Sequence, residues 1–262
     1  MLARITPLVL TFNEAPNLAR TLERLAWAGD IVVVDSGSSD GTREIAARNP
    51  RVRVFEHPFS SHAEQWNFGL ESTGIRTEWV LALDADFVLS EPLVDEIAAL
   101  DPDPATSGYR ASFAYCIGGT PLRGAAYPPV VVLYRRTGAR YVQDGHTQRI
   151  RLDGRVDALT ATIAHDDRKP LAHWIAAQVR YMRLEAEKLD TTPASSLGLL
   201  DRLRRLLVVM PPAMFVYCYV VRGGVLSGRA GLFYALQRAT AEAILSLSIL
   251  ERRLFGDGRR RH

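Results

Sequence analysis

Short apolar segments alternate with helical patterns four times in the first hundred residues. The apolar segments are brief, which is typical of buried strands, and they lie at 5–12, 31–34, 51–55 and 79–83. The spacing of apolar residues predicts helices at 14–27, 42–48 and 61–72, and a further helix that begins at Pro92. This alternation predicts an α/β fold with a mostly parallel sheet and helices on both of its faces.

Polar clusters follow three of these predicted strands directly. They lie at residues 11–14, 35–40 and 84–86. In open parallel sheets, ligands bind outside the carboxyl ends of the strands. The three clusters therefore predict one binding site along a single edge of the sheet.

The cluster at 84–86 contains two carboxylates one residue apart, on Asp84 and Asp86. Such a pair at a strand end can reach one divalent cation and its bound phosphates, and Mg²⁺ and Mn²⁺ take oxygen ligands. An acidic turn without a metal is the competing interpretation. The apolar run WVLAL before the pair, and the two polar strand ends upstream of it, favour the metal.

Asp35 directly follows the apolar run IVVV. A carboxylate at this point can accept a hydrogen bond from a ribose hydroxyl or a base N–H group, and Gly37 and Gly41 permit close backbone approach to a ligand. Capping of the next helix is the alternative, and Asp40 or Thr42 fits that role. The chain contains neither GxGxxG nor GxxxxGK[ST], so a dinucleotide fold and a P-loop are poorly supported.

Three motifs, in this order, resemble those of family 2 glycosyltransferases with the GT-A fold. They are PLVLTFNEAPNL, IVVVDSGSSDGT and WVLALDAD. The most similar subset adds sugars to bacterial lipopolysaccharide cores or other envelope polysaccharides. The resemblance covers about residues 5–190 and implies a catalytic domain at 1–190. Its nucleotide-sugar-binding half would be 1–105 and its acceptor half 106–190.

The resemblance implies donor-binding roles for two groups of residues. The nucleoside pocket would be formed by Thr11, Phe12, Asn13, Glu14, Asp35 and Ser36. Phe12 would stand where the family often has a tyrosine beside the base, and Asp35 would face the base or the ribose. Gln65 and Asn67 would border the donor sugar.

The resemblance also implies a divalent cation, Mg²⁺ or Mn²⁺. Asp86 would bind it directly, Asp84 would lie near both ribose and metal, and His165 resembles a downstream histidine that often completes the metal shell. Two alternatives stay open, namely that His165 is a solvated loop residue, or that Asp166 or Asp167 contributes in its place.

The chain departs from the family pattern in two places. Ser36 stands where the family commonly has a second acid, and residues 144–147 read DGHT where His-Glu is often found. Inverting transfer by direct displacement needs a base to take the acceptor hydroxyl proton. Asp144 is the predicted general base, with His146 in reserve and an ordinary loop role for Asp144 as the alternative.

Residues 197–262 form a basic C-terminal segment that we expect to be helical and membrane-associated. They hold 11 arginines against 4 acidic residues, a net charge of +7 within a chain of net charge +3. The apolar run at 206–221 is shorter than the ~20 residues of a spanning helix, and Pro211-Pro212 interrupts it. An interfacial position on anionic lipid fits best. A spanning pair, or a hairpin packed on the catalytic domain or on a second subunit, is the alternative.

The predicted function is inverting, metal-dependent transfer of a sugar, with a UDP-sugar as favoured donor, to a lipid-linked, lipopolysaccharide or polysaccharide acceptor. We expect no nucleic-acid partner, and the C-terminal helices could mediate an oligomer. A nucleotidyltransferase is one alternative, although the loop TFNEAPN lacks the basic residues that hold a triphosphate. A non-catalytic membrane scaffold is another, although the acid pair is intact.

The expected location is the cytoplasmic face of the bacterial inner membrane. The N-terminal residues read as a first strand and lack the long apolar region of a signal peptide. The two cysteines, Cys116 and Cys218, do not form a CxxC-like pattern, which fits a reducing compartment.

Overall fold

The computed structural model describes residues 1–123, 127–144 and 147–255. The chain divides into two compact units. Unit 1 contains residues 1–119 and 127–168, and unit 2 contains the described part of 120–126 and 169–262.

Strands and helices alternate through the first hundred residues of unit 1, as the sequence predicts. The strands are β1 (Ile5–Thr11), β2 (Ile31–Asp35), β3 (Val52–Glu56), β4 (Trp79–Asp84) and the short β5 (Phe87–Leu89). The helices are α1 (Leu18–Glu23), α2 (Thr42–Ala47), α3 (His62–Ser72) and α4 (Glu91–Ala99). The hydroxyls of Ser61 and Ser90 accept hydrogen bonds from backbone N–H groups in the first turns of α3 and α4, and so cap these two helices.

Residues 106–165 are mainly strands. They are β6 (Thr106–Ile117), β7 (Thr120–Pro121), β8 (Val130–Arg135), β9 (Arg140–Asp144), β10 (Thr147–Arg151) and β11 (Arg155–His165). From the sequence, strands joined by Gly and Pro turns are predicted at 109–116, 130–135, 149–152 and 159–163, which correspond approximately to β6, β8, β10 and β11. The sequence pattern misses β5, β7 and β9. These three are only two to five residues long, too short to show a hydrophobic period.

The central sheet of unit 1 runs in the order β3-β2-β1-β4-β8-β6-β11-β5. The first four of these strands are mutually parallel, and β6 is parallel to β11. β8 and β5 are antiparallel to their neighbours, and β9 and β10 form a separate antiparallel hairpin. The predicted α/β fold with a mostly parallel sheet is confirmed.

Both faces of the parallel part of the sheet are covered by apolar cores, because successive side chains along a strand point to opposite faces. Val9 and Val33 belong to one core, together with residues of α1 and α4. Leu8 and Val32 belong to the other core, where Trp66 of α3 packs. Helices therefore lie on both faces, as the sequence predicts.

Unit 2 is helical. Its helices are α5 (Leu171–Thr191), α6 (Leu199–Arg204), α7 (Met210–Val216) and α8 (Gly228–Phe255), and a π-helical turn (Tyr217–Val221) follows α7. Ala186 and Leu189 of α5 pack with Leu245 and Ile249 of α8 in a small core. The sequence places residues 171–189 in the catalytic domain, whereas α5 packs in unit 2. In the described parts of both units, no helix is long and apolar enough to cross a membrane.

Candidate active site

The carboxyl ends of β2, β1 and β4 lie side by side, so the three predicted polar clusters meet at one edge of the sheet. Thr11 pairs with Asp35 across β1 and β2, and Leu10 pairs with Asp84 across β1 and β4. The parallel register places the ends of all three strands at the same level. The three polar clusters predicted from the sequence therefore lie next to one another at this edge of the sheet.

Asp35 is fully buried at the end of β2 and organises the loop that follows it. Its carboxylate accepts hydrogen bonds from Thr11 Oγ1 at 2.8 Å, Gly37 N at 3.1 Å, Ser38 N at 2.7 Å and Ser38 Oγ at 2.6 Å. Gly37 has a φ of 85°, which glycine adopts without strain. These four bonds show that Asp35 positions the loop, and its direct contact with a base or ribose stays a prediction.

The loop after β1 presents an exposed aromatic ring next to a constrained asparagine. Phe12 is 43% exposed, and Asn13 has a left-handed φ of 53°. Asn13 N donates to Ser38 Oγ at 2.8 Å, and Asn13 Oδ1 accepts from Ser39 N at 2.9 Å. These bonds fix the two strand-end loops to each other and leave the ring of Phe12 accessible to a ligand.

The two predicted sugar-site residues of α3 are both engaged within the protein. Gln65 Nε2 donates to Ser36 Oγ and to the carbonyl oxygen of His57. Asn67 Nδ2 donates to the carbonyl oxygen of Tyr141 at 2.9 Å, and Asn67 Oδ1 accepts from Tyr141 N at 2.8 Å. Gln65 thus bonds to Ser36, which directly follows β2, whereas Asn67 bonds to the backbone of β9. The place of Asn67 beside the donor sugar stays a prediction.

The acid pair meets a histidine from a distant part of the chain. Asp84 is exposed at the end of β4, and Asp86 is almost buried. β11 pairs with β5 so that His165 lies opposite Phe87, and this brings Nε2 of His165 to 3.0 Å from Oδ2 of Asp86. The structure therefore places the histidine named from the resemblance beside the predicted metal-binding carboxylate.

The electrostatics of His165 are dominated by these acids. Burial alone would lower the pKa of His165, but the charge and hydrogen bond of Asp86, with smaller effects of Asp84 and Asp167, raise that pKa above its ordinary value. Nδ1 of His165 is buried and has no hydrogen-bond partner among the described residues. The pair is a carboxylate and an imidazole in direct contact, enclosed by protein.

The donor set of this pair fits a divalent cation. A carboxylate oxygen suits Mg²⁺ or Mn²⁺ and an imidazole nitrogen suits transition metals, and Asp86 Oδ2 and His165 Nε2, which would hold the cation, are 3.0 Å apart. No three His, Cys, Asp or Glu side chains in the described residues converge on one metal position. Of the predicted trio Asp84, Asp86 and His165, the structure shows Asp86 and His165 in direct contact. Mg²⁺ commonly takes its remaining ligands from phosphates and water.

Sequence comparison connects this geometry to a known family. The family model described as Glycosyl transferase family 2 matches residues 8–151, more than half of the chain. The chain belongs to glycosyltransferase family 2. The match begins within β1, includes β2 to β4 and the acid pair, and ends before β11, so the histidine of this glycosyltransferase is located by the structure.

Several individual proteins are similar to this chain. Lipopolysaccharide core biosynthesis glycosyltransferase LpsC of Rhizobium meliloti is 25% identical over 258 residues, which cover 95% of this chain and 92% of LpsC. An uncharacterized glycosyltransferase of Rickettsia felis is 36% identical over 95 residues, which cover 36% of this chain and 32% of the relative. Among solved structures, S. aureus TarS 1–349 in complex with UDP-GlcNAc is 14% identical with a TM-score of 0.49, covering 95% of this chain and 91% of TarS.

Aromatic rings surround His165 in this enzyme, and the sequence analysis missed them. The ring centroids of Phe87, Tyr115 and Tyr127 lie 5.1, 4.8 and 4.9 Å from that of His165. The register explains two of these contacts, because His165 pairs with Phe87 on β5 and with Tyr115 on β6. Burial raises the pKa of the Tyr127 hydroxyl, and the nearby Asp84 and Asp86 carboxylates raise it further. The rings restrict the orientation of the imidazole.

Asp166 is neutralised by two arginines. Its carboxylate accepts from Arg20 Nη1 and Arg168 Nε, both at 2.7 Å, and from Gly119 N at 3.0 Å. Burial by itself would raise the pKa of Asp166, but the bonds and charges of Arg168, Gly119 and Arg20 hold it below its ordinary value. The backbone N–H of Asp166 donates to the carbonyl oxygen of Asp86 at 3.1 Å. Asp166 therefore positions this loop, which disfavours the alternative that it replaces His165 as a ligand.

Asn17 links the first strand-end loop to the loop that follows β11. Its Nδ2 donates to Glu14 Oε2 and to Asp167 Oδ1, both at 2.8 Å. Its Oδ1 accepts from Arg168 N at 2.8 Å. The predicted donor residue Glu14 and the predicted alternative ligand Asp167 are thus bound to the same amide.

The two predicted bases are described only in part by the structure. Asp144 is the last residue of β9, and the structure describes its backbone only. His146 lies outside the described residues. The assignment of the general base therefore stays a prediction.

Proposed function

We propose that this glycosyltransferase uses a divalent cation, Mg²⁺ or Mn²⁺, to transfer a sugar from a nucleoside-diphosphate sugar with inversion at the anomeric carbon. The observation that carries the proposal is the Asp86–His165 pair, 3.0 Å apart at the carboxyl edge of the sheet. β1, which leads into the loop with Phe12 and Asn13, is the neighbour of β4. A metal site next to an aromatic loop suits a ligand that combines a diphosphate with a base.

The cation would be held by Asp86 and His165, with Asp84 near it. When bound, it would offset the negative charge of the diphosphate leaving group. The chain's own part is to keep this pair in place. Asp166 ties the loop after β11 to the carbonyl oxygen of Asp86, and the rings of Phe87 and Tyr115 restrict the imidazole.

The nucleoside is proposed to stack on Phe12, with a uridine nucleotide as the first ligand to test. We expect Phe12→Ala to weaken UDP binding by about 5- to 150-fold, because base stacking on an aromatic ring is worth about 1–3 kcal/mol. Isothermal titration calorimetry would measure this change. Phe255→Ala is the matched control, since Phe255 is a 62% exposed phenylalanine at the end of α8. Equal UDP affinity of wild type and Phe12→Ala would show that the base does not stack on Phe12.

Asp144 is proposed to accept the proton of the attacking hydroxyl. We expect Asp144→Asn to lower kcat by about 10²–10⁴-fold, the usual contribution of a positioned base, while UDP binding stays unchanged. Steady-state kinetics combined with UDP titration would separate the two effects. Asp153→Asn, at an exposed loop residue in the same unit, controls for loss of charge. Wild-type turnover in Asp144→Asn would transfer the role to His146.

The acceptor is proposed to be a lipid-linked saccharide or a growing lipopolysaccharide or polysaccharide chain. The relative LpsC, similar over nearly the whole chain, is described as a lipopolysaccharide core biosynthesis glycosyltransferase. An acceptor of this kind places the reaction at the cytoplasmic face of the inner membrane. The basic, apolar composition of residues 197–262 supports a membrane surface as partner.

The proposal is tested by a panel of nucleotide sugars, incubated with acceptor glycolipid and scored for release of nucleoside diphosphate. We expect release with one or a few donors, dependence on Mg²⁺ or Mn²⁺, and loss of release with chelator. Nuclear magnetic resonance of the product would report the anomeric configuration, which should be opposite to that of the donor. Full activity in chelator contradicts the metal, and a retained configuration contradicts inversion.

A further inference from the structure

Residues 206–226 of unit 2 present a run of apolar side chains to the exterior. Its most exposed members are Leu206, Val208, Val216, Val220, Val221 and Leu226, and we call them the 206–226 surface. Val208 is 79% exposed, and Val221 and Leu226 are each 69% exposed. Apolar residues scattered singly over a surface need no explanation, but so many within 21 residues indicate an interaction site.

At the N-terminal end of the 206–226 surface, the backbone conformation of unit 2 directs the apolar side chains away from the core. Leu207 has a left-handed φ of 64°, which a side chain with a Cβ adopts only at a cost. Its side chain packs against the α5–α8 core, and its carbonyl oxygen accepts from Ser246 Oγ at 2.6 Å. Because Leu207 is held inward, its neighbours Leu206 and Val208 point away from the core.

The other end of the surface is fixed by close backbone packing. Gly224 begins a 3₁₀ turn (Gly224–Ser227), and a Cβ added to Gly231 of α8 would lie 1.8 Å from the carbonyl oxygen of Gly224. Only glycine fits this approach of the turn to the helix. The turn therefore packs closely against α8. Val225 and Leu226 of this turn are 50% and 69% exposed.

The charges at this surface are all positive. Residues 206–226 contain no aspartate or glutamate, and Arg222 lies within them. Arg205 and Arg229 flank the segment. Arg205 is held at the end of α5, where it donates to the carbonyl oxygens of Leu189 and Thr192, whereas Arg222 and Arg229 are exposed.

This combination favours a lipid bilayer over a second copy of the chain as the occupant. Two copies joined through the same face would bring their arginines together, whereas anionic headgroups would neutralise them. The described helices are not long and apolar enough to span a membrane, and α7 has only seven residues. An apolar surface with a basic border and no spanning helix is the composition of an interfacial anchor.

We propose that the 206–226 surface inserts into the interface of an anionic bilayer and anchors the enzyme from one side. The proposal rests on the proposed function, since it supplies a reason for the anchor: it would keep the enzyme where a lipid-linked acceptor is found. It names the inserting residues, and it excludes α8 as the main membrane contact. It can be tested on the full chain without acceptor or turnover.

The test is flotation of full-length protein with vesicles of phosphatidylglycerol and phosphatidylcholine. Wild type should float with the anionic vesicles, and high salt should weaken binding only in part, because the apolar contribution is insensitive to salt. The triple variant Val208→Asn, Val221→Asn, Leu226→Asn should lose about 1000-fold or more in partition, since burial of one such side chain is worth about tenfold or more. Arg222→Gln with Arg229→Gln should remove most of the salt-sensitive part.

A second triple variant, Leu199→Asn, Leu247→Asn, Leu254→Asn, is the matched control. Its three leucines are 76%, 65% and 65% exposed on α6 and α8, outside the surface, and its partition should equal that of wild type. Equal losses in both triples would overturn the assignment of the inserting residues. A wild type that does not float, but forms a dimer that only the first triple dissociates in analytical ultracentrifugation, would replace the bilayer by a second copy.

UDP binding and circular dichroism are measured on every variant. Unchanged UDP affinity and thermal unfolding show that a loss of flotation is not a loss of fold. If wild type floats as expected but binds no nucleotide, the anchor stands and the proposed function fails. If wild type binds nucleotide but does not float, the proposed anchor fails and the proposed function stands.

Discussion

Asp86→Asn is expected to lower the proposed metal-dependent glycosyl transfer by about 10²–10³-fold, the usual cost of losing one group that stabilises charge in an enzyme site. The substitution keeps the size and shape of the side chain but removes its charge. Asp86 is buried and contacts His165 at 3.0 Å. Transfer rates at saturating Mn²⁺ would give the first measurement.

A direct measurement of metal binding distinguishes a residue that binds the metal from one that only supports the fold. In the presence of UDP, electron paramagnetic resonance of Mn²⁺ should show weaker binding in Asp86→Asn, while thermal unfolding without metal changes little. His165→Ala should weaken Mn²⁺ binding in the same way. Asp101→Asn, at an exposed loop residue beyond α4, should behave as wild type. Wild-type Mn²⁺ affinity in Asp86→Asn would contradict the site, even if the transfer rate fell.

The position of this site follows from sequence patterns that depend on local physics. Strands β1, β2 and β4 are buried on both faces and read as continuous apolar runs, as central parallel strands do. The end of such a run marks the edge of the sheet, so Thr11, Asp35 and Asp84 can be placed together without coordinates. Parallel pairing of neighbouring strands then makes their ends adjacent.

The orientation of individual side chains depends on contacts that the sequence does not reveal. Asp35 is at the predicted edge, yet its carboxylate turns into its own loop, because Thr11 and Ser38 offer donors there. Asn67 bonds to the backbone of Tyr141, which is far away in the chain. The rings around His165 come from the registers of β11 with β5 and β6, and register is a tertiary property.

Unit 2 contains a buried ionic cluster whose loss should cost more stability than a surface pair. Arg204 of α6 forms two bonds with Glu242 of α8, at 2.8 and 3.2 Å, and approaches Asp201 at 3.2 Å and Glu185 of α5 at 3.7 Å. The side chains of Glu242 and Glu185 are only 3% and 7% exposed. Burial by itself would lower the pKa of Arg204, but the three acids outweigh it and raise that pKa.

Arg204→Met is therefore expected to lower the free energy of unfolding of unit 2 by about 3–5 kcal/mol, because it leaves buried carboxylates without their cation. Urea unfolding followed by circular dichroism would measure this. Arg202→Met is the control on the same helix. Arg202 is exposed and donates to the carbonyl oxygen of Leu197, so its loss should cost about 1 kcal/mol or less.

A double variant decides whether the uncompensated charge is the cause. Arg204→Met combined with Glu242→Gln removes the cation and one of the buried charges together, so it should be more stable than Arg204→Met alone. Methionine retains much of the apolar stem of arginine, which limits any loss of packing. If the double variant were as unstable as the sum of the two single variants, the cluster would act through packing. Recovery of stability instead shows that Arg204 joins α5, α6 and α8 by neutralising their acids.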